Sequence, residues 1–112
     1  MKIKQIIQSI EDIADRYGLK ILSLDFTDIT LFLRIGFSSE VFIQIYINSK
    51  KQKTNLALIV ADERTYGIDK EGGFYHEHPF GNPSNHIKTE QIEIEDFIVR
   101  SLELLKTMKL LG

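Results

Sequence analysis

The stretch LKILSLDFTDITLFLRIGFSSEVFIQIYINS, residues 19–49, decides the fold because its apolar residues follow a strand-like pattern. In a β-strand, successive side chains point to opposite faces, so alternating apolar positions predict strands. Three such runs are joined by links of only a few residues. Short links favour antiparallel pairing, because a parallel crossover needs a dozen or more residues. The stretch therefore predicts the first three strands of an antiparallel meander.

Two further strands are expected downstream. The segment TNLALIVADERTYGID, residues 54–69, starts apolar and becomes polar, and we interpret it as one strand. The segment GGFYHEHP, residues 72–79, is stopped by its proline, which cannot donate to a sheet ladder. The following GNPSN, residues 81–85, has the composition of an irregular loop. The sequence thus predicts a five-stranded antiparallel sheet.

An amphipathic helix is predicted at each end of the chain. Gly18 ends the first helix, because glycine adopts the left-handed conformation at little cost. The apolar stripe of the first helix is formed by Ile3, Ile6, Ile7, Ile10, Ile13, Ala14 and Tyr17. The stripe of the second helix is formed by Ile94, Phe97, Ile98, Leu102, Leu105 and Met108. Both stripes are expected to pack on one face of the sheet, giving a single α+β domain over residues 1–112 in the order α-β-β-β-β-β-α.

The aromatic residues of the predicted strands are expected to fill the core, because a sheet covered by helices needs large apolar side chains in its interior. They are Phe26, Phe32, Phe37, Phe42 and Tyr46. The segment VFIQIYI, residues 41–47, is apolar on both faces, so any part of it that no helix covers would need a partner. The sequence therefore predicts a homodimer.

Composition excludes several classes of protein. The 112 residues include no cysteine, which excludes disulfides, thiolate metal sites and cysteine nucleophiles. The net charge of −2 and pI near 5.9 argue against a protein that coats nucleic acid non-specifically. The N-terminal segment is charged throughout and no apolar run approaches the ~20 residues of a membrane span. We therefore expect a cytoplasmic protein without a membrane partner.

All three histidines and both prolines fall within GGFYHEHPFGNPSNH, residues 72–86. On a strand, His76 and His78 share one face. With the hairpin turn centred in the charged DKEGG segment, Tyr66 is expected opposite His76 and Arg64 opposite His78. Directly opposed side chains have Cβ atoms ~5 Å apart. The sequence therefore predicts one patch of these four residues.

Phosphodiester chemistry is our leading hypothesis for this patch. Histidine donates and accepts protons near pH 7, so His76 and His78, or one of them with Glu77, could act as base and acid on RNA. Arg64 would clamp the non-bridging phosphate oxygens and Tyr66 would contact a base or phosphate. Glu77 and His86 are candidates for substrate binding. This metal-independent endoribonuclease reaction needs no cofactor.

Two other interpretations remain open. The polar residues could simply face water at the end of a sheet, in a non-enzymatic interaction module. Alternatively, the His76-x-His78 pair could bind a metal, with His86 or Asp62 as a third ligand. The short spacing motif alone does not decide among the three interpretations.

The segment ERTYGIDKEGGFYHEHPFGNPSNH, residues 63–86, precedes a helix with an acidic first turn. This arrangement resembles the TumE-type small proteins, the toxin half of prokaryotic toxin–antitoxin pairs. The resemblance spans most of the chain in layout and residues 64–86 in sequence. It implies that the polar loop is the functional edge, with His86 as the closest counterpart of the family's loop histidines. It also implies RNA as the target and a cognate antitoxin as a partner.

Overall fold

The computed structural model describes residues 2–109, and in them two helices flank a seven-stranded sheet. The elements are α1 (Ile3–Tyr17), β1 (Lys20–Phe26), β2 (Thr30–Gly36), β3 (Val41–Asn48), β4 (Lys53–Val60), β5 (Glu63–Glu71), β6 (Phe74–His78), β7 (Ile87–Thr89) and α2 (Ile94–Thr107). The strands lie side by side in chain order, and every neighbouring pair is antiparallel. The α+β class and the antiparallel meander are therefore confirmed.

The predicted number of five strands is wrong. Residues 54–69, interpreted as one strand, belong to β4 and β5, which are joined by a tight turn at Ala61 and Asp62. These two residues have φ angles of 51° and 66°, the left-handed conformation that two-residue hairpin turns require. Neither is a glycine or asparagine, so the usual turn signal is missing from the sequence. The short β7 follows the loop after β6 and was not predicted.

Both helices pack on the same face of the sheet. The buried stripe of α1 consists of Ile3, Ile7, Ile10, Ile13 and Ala14, and α1 ends at Gly18, whose φ is 67°. The buried residues of α2 are Phe97, Ile98, Ser101 and Leu105. The apolar residues from both helices form one core cluster with alternate residues of the central strands, among them Leu31, Leu33, Ile43, Ile45, Leu56 and Leu58. The helix stripes and the strand alternation predicted from the sequence account for this core.

The other side of the sheet carries no helix in the described residues. We call it the open face, and it is centred on Phe32, Arg34, Gln44, Tyr46, Asn55 and Ala57. The prediction that the strand aromatics fill the core is wrong for four of the five, whereas Phe42 is buried, at 7% exposure, although it lies on the open side of β3. Phe32 and Tyr46 lie on the open face, while Phe26 and Phe37 are exposed elsewhere. The sheet has one helical layer, so only one of its two faces is interior.

Residues 41–47 form most of β3, which lies between β2 and β4 in the seven-stranded order. Ile43, Ile45 and Ile47 lie in the core cluster, whereas Phe42 and Tyr46 face the open side. One face of this segment is therefore covered by helices within the chain itself. Within residues 2–109, neither helix is long and apolar enough to cross a membrane.

Candidate functional site

The candidate site is built on the β5–β6 hairpin, whose turn consists of Gly72 and Gly73. Their φ angles are 57° and 87°, a conformation that costs glycine little, and β5 therefore runs on to Glu71 before the chain reverses. The predicted register, with the turn near Glu71, is wrong. His76 lies opposite Asp69, whereas the predicted partner was Tyr66, three residues earlier in β5.

A β-bulge in β5 separates two residues that were predicted to share a face. Tyr66 pairs with Leu58 on the core side, whereas Arg64 pairs with Ile59 on the open face. The register shifts at Thr65, which takes an extra position in the strand and reverses the alternation. Arg64 therefore shares the open face with the two histidines of β6, and Tyr66 does not.

The three histidines gather at one end of the open face, and we call His76, His78 and His86 the histidine cluster. The ring centres of His78 and His86 are 4.3 Å apart, with an interplanar angle of 66°. Those of His76 and His86 are 6.5 Å apart. His86 reaches the cluster because the loop after β6 folds back and pairs β7 with β6. His86 is exposed and His76 is half-buried, so both rings are accessible.

Asp69 joins the histidine cluster to Arg64, and sequence reasoning missed it. Its Oδ1 accepts a hydrogen bond from Nη2 of Arg64 at 2.8 Å, and its Oδ2 accepts one from Nη1 at 3.3 Å. The same Oδ2 lies 3.0 Å from Nε2 of His78. Asp69 is directly opposite His76, so the correct register would have placed it in the site. We call these three side chains the Arg64–Asp69–His78 network.

His78 fixes the loop that carries His86. Its Nδ1 lies 2.8 Å from the carbonyl oxygen of Pro83, and its Nε2 lies within hydrogen-bond distance of Oδ2 of Asp69. His78 is only 6% exposed and both of its nitrogens are engaged. Its geometry suits a positioning residue better than a proton-transfer group.

Arg64 lies flat over the backbone of Gly67. A Cβ at position 67 would collide with the Arg64 guanidinium group, so Arg64 keeps this position only because residue 67 is a glycine. Nη2 of Arg64 also donates to the carbonyl oxygen of Leu56 at 3.3 Å. The guanidinium is therefore held on the sheet surface by Asp69 and by the backbone. It is one-third exposed, so one side of it still faces the open face.

A second cation lies beside the histidine cluster. Lys88 of β7 is directly opposite His76 and is exposed. Its Nζ lies 5.7 Å from the ring centre of Phe74, within cation–π range. The end of the open face thus combines two accessible imidazoles with the cationic groups of Arg64 and Lys88, an arrangement that suits an anionic ligand.

Tyr66 and Glu77 meet each other on the core side of the hairpin, away from the histidine cluster. The Tyr66 hydroxyl donates to Oε1 of Glu77 at 3.1 Å, and its ring stacks on Phe97 with ring centres 5.2 Å apart. Burial raises the pKa of Tyr66, the nearby Arg100 opposes this rise, and the Glu77 carboxylate adds to it.

Tyr66 and Glu77 line a groove of about 370 Å³ that includes Phe80 and Arg100. The predicted four-residue patch is therefore split between two faces.

The metal interpretation has no complete ligand set in the described part of the chain. Residues 2–109 contain no group of three or more His, Asp or Glu side chains arranged to hold a metal ion. Asp62, considered as a third ligand, lies in the β4–β5 turn. Both nitrogens of His78 already have hydrogen-bond partners.

Comparisons with known proteins found no similarity to this chain. No family model, no curated protein and no solved structure matches it. The candidate site therefore depends on the geometry of the histidine cluster and the Arg64–Asp69–His78 network.

Proposed function

We propose that this protein is a metal-independent endoribonuclease whose active site is the histidine cluster. The observation that carries the proposal is the pair of accessible imidazoles, His76 and His86, whose ring centres are 6.5 Å apart. Two such groups on either side of a phosphodiester can serve as base and acid in one reaction. The neighbouring cations Arg64 and Lys88 favour an anionic substrate.

In the proposed reaction, one neutral imidazole of the pair removes the proton from a ribose 2′-hydroxyl. The 2′-oxygen attacks phosphorus, and the bond from phosphorus to the 5′-oxygen of the next nucleotide breaks. The second imidazole, protonated at the start, gives its proton to that leaving oxygen. The products are a 2′,3′-cyclic phosphate and a 5′-hydroxyl, so atoms and protons balance without a cofactor. DNA lacks the nucleophile.

The remaining residues have supporting roles in this proposal. Lys88 contacts a non-bridging phosphate oxygen, and Arg64 adds its positive charge from the sheet surface. Asp69 and His78 position Arg64 and the His86 loop. Tyr66 and Glu77, which the sequence grouped with the histidines, take no part in proton transfer because they lie on the other face of the hairpin.

Cleavage of a labelled RNA in the presence of EDTA tests the proposal. The wild type is expected to release products with a 2′,3′-cyclic phosphate. His76→Ala and His86→Ala are each expected to lower the rate about 100-fold or more, the usual contribution of a general acid or base. Glu77→Gln is the matched control, since residue 77 lies next to both β6 histidines and points to the opposite face. Wild-type protein that leaves RNA intact would overturn the proposal.

A toxin role in the cytoplasm, with a cognate antitoxin as partner, follows from the same proposal. RNA cleavage inside a cell would inhibit growth on expression, and His76→Ala combined with His86→Ala would relieve that inhibition. A neighbouring gene whose product restores growth would identify the partner. Expression of the wild type without any growth defect would argue against the toxin role.

A non-enzymatic interaction module is the second candidate, and the edge strand β1 favours it. Leu22, Leu24 and Phe26 are 39%, 42% and 44% exposed on a strand that pairs on one side only. Exposed apolar residues on an unpaired edge favour association with another chain, including a second copy. Light scattering tests for a homodimer. A wild-type protein that is monomeric, with the same molar mass as the Leu24→Lys variant, would argue against this candidate.

A further inference from the structure

We infer that the substrate is single-stranded RNA, bound across the open face and stacked on Phe32 and Tyr46 before it reaches the histidine cluster. This inference rests on the proposed function and names its substrate class. It starts from the registers of the strands, which place the aromatic rings and the histidines in one line.

A single row of directly paired residues crosses all seven strands on the open face. From β1 to β7 it consists of Asp25, Phe32, Tyr46, Asn55, Asp69, His76 and Lys88. Neighbouring strands are ~4.8 Å apart, so the row is about 29 Å long. The candidate catalytic residue His76 and the two rings thus belong to one continuous surface.

The aromatic end of this row suits the bases of an unpaired strand. Phe32 lies directly opposite Tyr46, and it is 37% exposed although large and apolar. The guanidinium of Arg34 lies 5.7 Å from the ring centre of Phe32 and 4.9 Å from that of Phe42. Flat rings and a flat cation at one surface are the groups on which unpaired bases stack. Bases within a duplex do not expose their faces to such a platform.

Polar groups between the two ends can contact base edges. Gln44 lies on the open face, and its Oε1 accepts a hydrogen bond from Nε of Arg34 at 3.3 Å. Asn55, in the middle of the row, is half-buried. An amide side chain can both donate to and accept from a base. A strand that stacks on the rings would therefore pass amide groups on its way to His76.

Charge on the open face also favours an anionic ligand. The face carries five basic strand residues, Lys20, Arg34, Lys53, Arg64 and Lys88. It carries three acidic ones, Asp25, Asp69 and Glu71. Lys53 and Arg64 are ion-paired with Glu71 and Asp69, so the remaining excess comes from Lys20, Arg34 and Lys88 against Asp25. This excess contrasts with the net charge of −2 of the whole chain. A phosphate backbone would gain from this field although the protein as a whole is acidic.

Binding of a fluorescein-labelled ten-nucleotide U-rich RNA, measured by anisotropy, tests the inference. The parent protein carries the substitution His86→Ala, because residue 86 lies outside the row and its loss is expected to slow turnover in the proposed reaction about 100-fold or more. It is expected to bind the single strand at least tenfold more tightly than an RNA duplex of the same length. Adding Phe32→Ala and Tyr46→Ala is expected to weaken single-strand binding about tenfold or more, since each stacked base contributes measurably.

Phe26→Ala is the matched control, because Phe26 is 44% exposed and pairs with Leu31 on the other face. It should leave the affinity within twofold. Circular dichroism and thermal melting check that each variant is folded. Affinity that is unchanged by the Phe32 and Tyr46 substitutions, or equal for single strand and duplex, would overturn the inference.

The test separates this inference from the proposed function. Single-strand binding that depends on Phe32 and Tyr46, without cleavage by wild-type protein, would support the binding surface and overturn the ribonuclease proposal. Cleavage that does not depend on the two rings would support the ribonuclease proposal and overturn the binding surface. A homodimer that dissociates on Phe32→Ala would show that a second copy occupies the open face, and this outcome also overturns the inference.

Discussion

Nε2 of His78 lies 3.0 Å from Oδ2 of Asp69, and the two residues come from adjacent strands of one hairpin. The same carboxylate binds the guanidinium of Arg64 at 2.8 Å. One half-buried carboxylate therefore holds both a cation on the sheet surface and the ring that anchors the His86 loop. Asp69 is the residue through which the candidate site is organised.

Removal of the charge of Asp69 should destabilise the fold and the site together. Asp69→Asn keeps the size of the side chain but weakens its bonds to Arg64 and His78. We expect a loss of about 2 kcal/mol in the free energy of unfolding, typical of a hydrogen bond to a charged group. Urea unfolding measures this loss. Asp25→Asn, an exposed carboxylate in the same row, is the control and should change stability by less than ~0.5 kcal/mol. Equal effects of the two substitutions would contradict the role of Asp69.

A methyl group at position 67 should displace Arg64 from Asp69. Gly67→Ala places a Cβ where the guanidinium now lies, so the side chain of Arg64 must move. We expect a cost of about 1–3 kcal/mol, the range for an overpacked site. In an Arg64→Ala background the same substitution should cost much less, and this double-mutant cycle isolates the contact. A cost that is the same in both backgrounds would mean that the backbone, not Arg64, is the obstacle.

The architecture could be predicted wherever the spacing of apolar residues determines the type of secondary structure. The stripe of α1, its end at Gly18 and the alternation of Leu31 and Leu33 in β2 all follow from the spacing of apolar residues. The antiparallel order follows from the short links. Ala61 and Asp62 form the turn in a left-handed conformation that aspartate tolerates but alanine does not favour, so the division of β4 from β5 carries only a weak sequence signal.

The candidate site was harder to predict because it depends on register. Gly72 and Gly73 form the turn themselves, which moves every pair of the hairpin away from the predicted alignment. The bulge at Thr65 then reverses the faces of Arg64 and Tyr66, and no residue type marks it. Two such shifts replaced Tyr66 by Asp69 in the site. The gathering of the histidines, in contrast, could be anticipated from their closeness in the chain.

Loss of the His78 ring should release the loop that carries His86. In His78→Ala the carbonyl of Pro83 loses its hydrogen-bond partner and Asp69 loses one of its own. We expect faster proteolytic cleavage within residues 79–86 and a lower rate of RNA cleavage. His76→Ala is the matched control, because we expect it to lower the rate but leave the loop protected. Equal protection of the loop in both variants would show that His78 does not anchor it.

The junction of the two helices should make stability depend on acidic pH. Arg16 donates to both carboxylate oxygens of Glu95, and the Tyr17 hydroxyl donates to Oε2 at 2.8 Å. The hydrogen bond from Tyr17, followed by that from Arg16, lowers the pKa of Glu95 below its ordinary value of 4.5. The folded state thus favours the carboxylate, so the contribution is present above pH 4.5 and is lost as the pH falls through the lowered pKa. Urea unfolding at a series of pH values measures this loss. As the pH falls, the free energy of unfolding should decrease less in Glu95→Gln than in the wild type. Glu103→Gln, on the same helix, is the control and should behave as the wild type does. An identical decrease in all three proteins would contradict this linkage.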